Sequence, residues 1–303
     1  MIQISRAKHI FAIMKVGIFS HCTLDTIVYE NEKYDTAGGP ASYCSFTARK
    51  QKHNVNLYTK FGVNYALEDF FIENKIMTHD ALSSKNTTKF RIELDDSDRK
   101  LFVENMCEEI NFLENDDDGT IISPVFNEIS LDTYSKIKNH GNFIFLDPQG
   151  FLREKNTNNE IFLKRITLDL KNINAIKTNP DELYSLTGLT GNDGIKQLQK
   201  LGIEYVVYTD KQKISLLVKD KLYTIFLPKM TLADTTGIGD IFCSTFVCTM
   251  LKEKDFLWAL SFAGGAAQSA LESKVFGLEK VPEKRALETN GSYFYNIVQF
   301  KQI

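Results

Sequence analysis

Short apolar runs alternate with helical stretches along this chain, and that alternation narrows its possible folds more than any single residue does. Residues 16–19, 55–60, 120–123, 143–146, 175–178 and 205–209 each read as a strand. Between them, a helix is expected over 41–49, directly after Gly38-Gly39-Pro40. Another opens at Asn179-Pro180, where asparagine caps and proline fills the first turn. From Thr236 onward the pattern is mostly helical, with small residues at Ala263-Gly264-Gly265-Ala266-Ala267. Strands alternating with helices predict an α/β fold, a central sheet flanked by helices.

Two segments break the alternation. Residues 87–104 alternate polar and apolar around Asp95-Asp96-Ser97-Asp98 and read as a hairpin. An extended stretch over 26–33 follows the first strand. Paired together, such pieces would form a small separate sheet; solvated edge strands are the plainer alternative. Asn115-Asp116-Asp117-Asp118-Gly119 reads as a solvated acidic turn and not as a metal site. Residues 1–14 carry too short an apolar run for a signal peptide and are set apart as an N-terminal extension.

Composition removes several functions. The net charge of −3 leaves no basic surface for nucleic acid. No segment approaches the ~18 apolar residues of a membrane span. Five cysteines with no C-x-x-C pair read as free thiols in a reducing cytoplasm.

The chemistry concentrates at Asp234-Thr235-Thr236-Gly237-Ile238-Gly239-Asp240, which runs into the apolar stretch 241–251. Glycines at the start of a helix free backbone N–H groups, and the positive helix end favours an anion beside them. Asp240 stands where it could take a proton from an attacking hydroxyl, or else serve only as a carboxylate favoured by the helix dipole. A P-loop is absent, and a dinucleotide fingerprint would need glycine where Phe242 stands.

This segment resembles the second signature of the ribokinase-like (PfkB) family of sugar and nucleoside kinases. Gly38-Gly39-Pro40-Ala41 is similar to the family's di-glycine element, Asn179-Pro180-Asp181-Glu182 to its N-x-x-E element, and Asp25 to its substrate-binding carboxylate. The resemblance covers the chain from about Lys15 and implies a ribokinase-like fold, a mostly parallel sheet with a small β lid over 26–36 and 87–104. It implies ATP as phosphoryl donor and Mg²⁺ as cofactor, with Asp240 as general base and Gly237, Ile238 and Gly239 as an anion hole. Asn179 and Thr209 would lie near the nucleotide, and Glu182 would act through magnesium-bound water, although capping explains Asn179 and Glu182 equally simply. Asp234 would help hold a monovalent cation such as K⁺. Lids of this kind often pair between subunits in the family, which implies a homodimer.

Acceptor contacts are expected from Asp25, Gly38, Gly39, Gln149 and Arg153. Tyr43 replaces an asparagine frequent in the family and would reshape the acceptor pocket. After Val207, Asp210-Lys211-Gln212-Lys213 stands where relatives carry glycines. The expected function is therefore an ATP-dependent kinase of a small polyol, a sugar or myo-inositol-like molecule. A nucleoside kinase, and a non-catalytic sensor of nucleotide or sugar, remain as alternatives.

Overall fold

Along the strand Lys15–Phe19, Val16 and Ile18 join one apolar cluster and Phe19 joins another, all without solvent contact. The division repeats next door. Ile121 opposes Ile122, Phe145 opposes Ile144 and Leu146, Ala175 opposes Ile176, and Val207 opposes Val206. Strands that bury both faces need a layer of structure on each side. The computed structural model describes residues 13–30, 32–94, 99–228, 235–273, 275 and 277–303.

Within those residues a ten-stranded sheet forms. Its order runs Gln299–Gln302, Lys221–Phe226, Lys213–Val218, Tyr205–Asp210, Ala175–Thr178, Ile144–Leu146, Gly119–Ile122, Lys15–Phe19, Asn54–Tyr58 and Ile76–His79. From Tyr205–Asp210 to Ile76–His79 every pairing is parallel; the other strands pair antiparallel. Six strands were expected from sequence. The antiparallel extension and the Ile76–His79 edge are additions.

Helices Gly39–Lys50, Ile238–Glu253 and Phe256–Glu272 cover one face, through Ala41, Cys44, Phe242, Phe246 and Leu260. Leu131–His140, Pro180–Thr187 and Gly191–Lys200 cover the other, through Tyr134, Leu183 and Leu198. Every residue from Ile241 to Met250 is buried. A helix apolar on all sides has to be surrounded; this one lies between the sheet and the two other helices of its layer. No helix among the described residues is long and apolar enough to cross a membrane. The five cysteines are all buried and free.

A second sheet stands apart, in the order Glu32–Gly38, Thr23–Tyr29, Thr88–Leu94, Arg99–Asn105. The expected 87–104 hairpin is its outer half, with residues 95–98 outside the described residues. The stretch after the first strand is itself a hairpin arm, paired with Glu32–Gly38. One expectation needs correction. Asp117 is not part of a solvated turn: it is 1% exposed, and Asn56 Nδ2 and Tyr58 Oη donate to it at 2.6 and 3.1 Å. Gly17, lacking a Cβ, makes room for its carboxylate. Burial raises its pKa, while Asp116 stays exposed and pairs with Lys15.

Candidate active site

The helix Ile238–Glu253 begins from an unusual cap. Gly237 takes φ 78°, in the left-handed region where an L side chain is strained. Space excludes a side chain as well, because a Cβ there would lie 2.5 Å from the Tyr43 ring. The Ile241 N–H already donates to the Gly237 carbonyl at 2.9 Å, and the Ile238 N–H turns weakly to Thr235 at 3.4 Å. The N–H groups of Gly237, Gly239 and Asp240 have no partner among the described residues. The open donors are therefore not those of Gly237, Ile238 and Gly239, as expected; the helical turn directs Ile238 backward and adds Asp240 instead.

Asp240 sits in the first helical turn at the wall of a cavity of about 180 Å³. Burial, reinforced by the nearby carboxylates of Asp147 and Asp25, pushes its pKa up to about 7, with Lys177 and Arg153 opposing. A carboxylate with that value is near half-ionised at neutral pH, the useful range for a general base. Among the described residues, no hydrogen bond occupies it.

Cations meet it from two sheet strand ends and from the second sheet. Lys177, at the end of Ala175–Thr178, forms a buried ion pair with Asp147 at 2.6 Å and lies against Gly239. Burial alone would depress its ammonium, but Asp147 and Glu182 override this and hold it well above the usual lysine range. Arg153 donates to the Val125 carbonyl at 2.7 Å and to Gln149 Oε1 at 2.8 Å. Both acceptors are neutral, so its charge remains available to an anion. Arg99 reaches the same cavity from the second sheet, where Phe90, Ile92 and Leu101 complete the roof.

Opposite these cations, Asp25 is 5% exposed and lines the same cavity from Thr23–Tyr29, where acceptor contacts were expected. Gly38 lies flat on its carboxylate, so any Cβ there would collide with Asp25 Oδ2. Gly39, at φ 77°, carries the chain past the site into its helix. Asp25, Gly39, Gln149, Arg153, Gly237, Gly239 and Asp240 thus converge on one cavity, as the sequence suggested.

Others do not. Tyr43 is 0% exposed, lies beneath the Gly237 turn and is not among the residues lining the cavity, contrary to the expected pocket role. Thr209 pairs with Ile214 in the sheet and is not among the residues lining the cavity. Asn179 and Glu182 form a reciprocal capping box, each side chain meeting the other's backbone N–H at 2.9 Å. Glu182 is 6% exposed, and burial raises its pKa against the pull of Lys177. Only its Oε2 has a hydrogen-bond partner among the described residues, which leaves Oε1 to water. Asp234 lies outside the described residues. Sequence reading missed Lys177 altogether; its one signal was a lysine inside a short buried strand, two residues before Asn179.

The profile of the pfkB family carbohydrate kinases matches residues 73–279, more than half of the chain. The chain belongs to this family. Its fold is shared with a pyrophosphate-dependent kinase of the ribokinase family, solved with a pyrophosphate analogue and myo-inositol: TM-score 0.78, 18% identity, covering 91% of this chain and 99% of that one. It is also shared with the ribokinase of Arabidopsis thaliana complexed with ribose and ATP: TM-score 0.73, 17% identity, 92% and 99% covered. At these identities the likeness is one of fold. In sequence, the ribokinase of Arabidopsis thaliana is 26% identical over 127 residues. That match takes in 39% of this chain and 33% of the ribokinase, so the chain spans about a third of that relative's length.

Proposed function

We propose that this protein transfers a phosphoryl group to a hydroxyl of a small polyol, a sugar or a cyclitol. The observation that carries this reading is the meeting of three things in one cavity: a carboxylate with a pKa of about 7 and N–H donors of a helix start, both without partners among the described residues, and the ammonium of Lys177. Phosphoryl transfer asks for alignment and charge stabilisation and little covalent chemistry. Asp240 accepts the acceptor's proton as the new oxygen–phosphorus bond forms. The Gly237, Gly239 and Asp240 N–H groups and Lys177 hold the oxygens of the moving group, where charge grows. Asp25 orients acceptor hydroxyls, and the Phe90 and Ile92 side chains exclude water above them.

At about 180 Å³ the cavity falls below the roughly 300–1,000 Å³ of drug-sized ligand sites, which suits a small acceptor better than a nucleoside. ATP is the donor we propose first, as in the ribokinase solved with it. Pyrophosphate is a second reading, supported by the cations Lys177, Arg153 and Arg99 around the cavity and by the pyrophosphate-dependent relative. For Mg²⁺ the free Oε1 of Glu182 fits an oxygen-seeking ion that keeps its waters. When bound with the donor, the ion would neutralise phosphate charge.

One panel tests the proposal: ATP or pyrophosphate with Mg²⁺, against ribose, fructose, myo-inositol, adenosine and cytidine, following acceptor phosphorylation by mass. We expect transfer to a sugar or to myo-inositol. Transfer to a nucleoside alone would replace the acceptor, and no transfer from either donor would leave the sensor reading.

A further inference from the structure

Lys280 ends the short turn Gly277–Lys280 and is 1% exposed, one of the largest fully buried side chains. Its Nζ donates to the carbonyl of Thr236 at 3.0 Å and lies 5.9 Å from the centre of the Tyr43 ring. That ring is the one beneath Gly237. The ammonium thus stands at the back of the turn whose front lines the cavity.

Peptide geometry gives this contact a consequence. In a planar trans peptide the carbonyl of one residue and the N–H of the next point in opposite directions. Holding the Thr236 carbonyl backward therefore aims the Gly237 N–H forward, and that N–H is one of the open donors. The lysine also places a fixed positive charge behind the group that must hold an anion, in a dry setting where such charge acts strongly.

Family resemblance assigns a monovalent cation to this neighbourhood, beside Asp234. The described residues that follow Asp234 do not fit that ion. The Thr236 carbonyl, two positions on from Asp234, is already held by an ammonium, and a second cation would meet a buried like charge.

We propose that Lys280 is a positioning residue that takes over the work of a monovalent ion, so that the anion hole is built and charged without K⁺. The proposal rests on the phosphoryl-transfer reading for its rates, but not for its binding measurement.

The test compares wild type, Lys280→Met and Lys280→Ala in potassium, sodium and N-methylglucamine salts at one ionic strength. Turnover and pyrophosphate binding by calorimetry are both read. Wild type should vary less than twofold among the three salts. Lys280→Met, nearly isosteric, should lose about 10²-fold in kcat, the scale of one oxyanion donor, and at least tenfold in pyrophosphate affinity. In Lys280→Ala the vacated space should let potassium or ammonium ions restore part of both, saturably. Saturable activation of wild type by K⁺ beyond fivefold would overturn the proposal, as would Lys280→Met binding pyrophosphate as wild type does. If wild type turned over no acceptor in any salt, the transfer reading would fail, and the binding comparison would still decide the role of Lys280.

Discussion

Ionising Asp240 works against the folded chain, because burial and the charge of Asp147 lift its pKa from 3.8 to about 7. Between those values the folded state holds a proton that the unfolded state has released. Stability from this residue is therefore present at low pH and lost as pH rises through about 7. Asp240→Asn should remove that loss. We expect it to be more stable than wild type by up to about 4 kcal/mol at pH 8, with the gap closing toward pH 4, as read by denaturant unfolding across pH. The same variant should lose ~10²–10⁴-fold in kcat, and wild-type kcat/KM should rise with pH through about 7. A variant equal to wild type in stability at pH 8 would refute this account of the site. Asp240 could be named from sequence because its Gly-Ile-Gly-Asp turn resembles a family signature and stands with companion motifs in the family's order; alone, the turn reads equally as a helix start. Lys177 could not, since its role depends on Asp147 and Gly239, both distant along the chain.

Elements show a similar split between local and distant information. The box between Asn179 and Glu182 could be read from four consecutive residues, yet its local signal could not separate capping from metal chemistry. The two roles part on substitution. Glu182→Gln preserves the box, since glutamine serves at that position, so its melting temperature should stay within a few degrees of wild type. We expect its half-maximal Mg²⁺ concentration to rise about tenfold, the lower end for residues acting through a metal's water shell. Unchanged Mg²⁺ dependence would leave Glu182 a cap only. Tyr43 was misplaced for the same physical reason. Its helix was evident, but the face turned toward the cavity depends on the entry angle at Gly39, which no local pattern carries.

Over the whole molecule, the parallel part of the main sheet, apart from its Ile76–His79 edge, was legible because strands buried on both faces are short and apolar. The antiparallel extension was not: Gln299–Gln302 is exposed along its length and has no apolar pattern to betray it. This contrast also orders the expected dynamics. Amides of Lys15–Phe19 and Gly119–Ile122, inside the sheet and paired on both sides, should exchange with solvent last, and those of Glu32–Gly38, largely exposed at the rim of the second sheet, among the first. Saturating donor and acceptor should slow exchange over 88–105 at least tenfold if that sheet closes the site, as measured by deuterium uptake and mass spectrometry. No protection there would remove its role as a lid. The contact of Gly237 with Tyr43 also gives the family's history here a direction. A lineage that shrinks residue 43 meets no collision, whereas one that enlarges residue 237 first meets the ring. Substitutions at the two positions should therefore have accumulated in one order and seldom in the reverse.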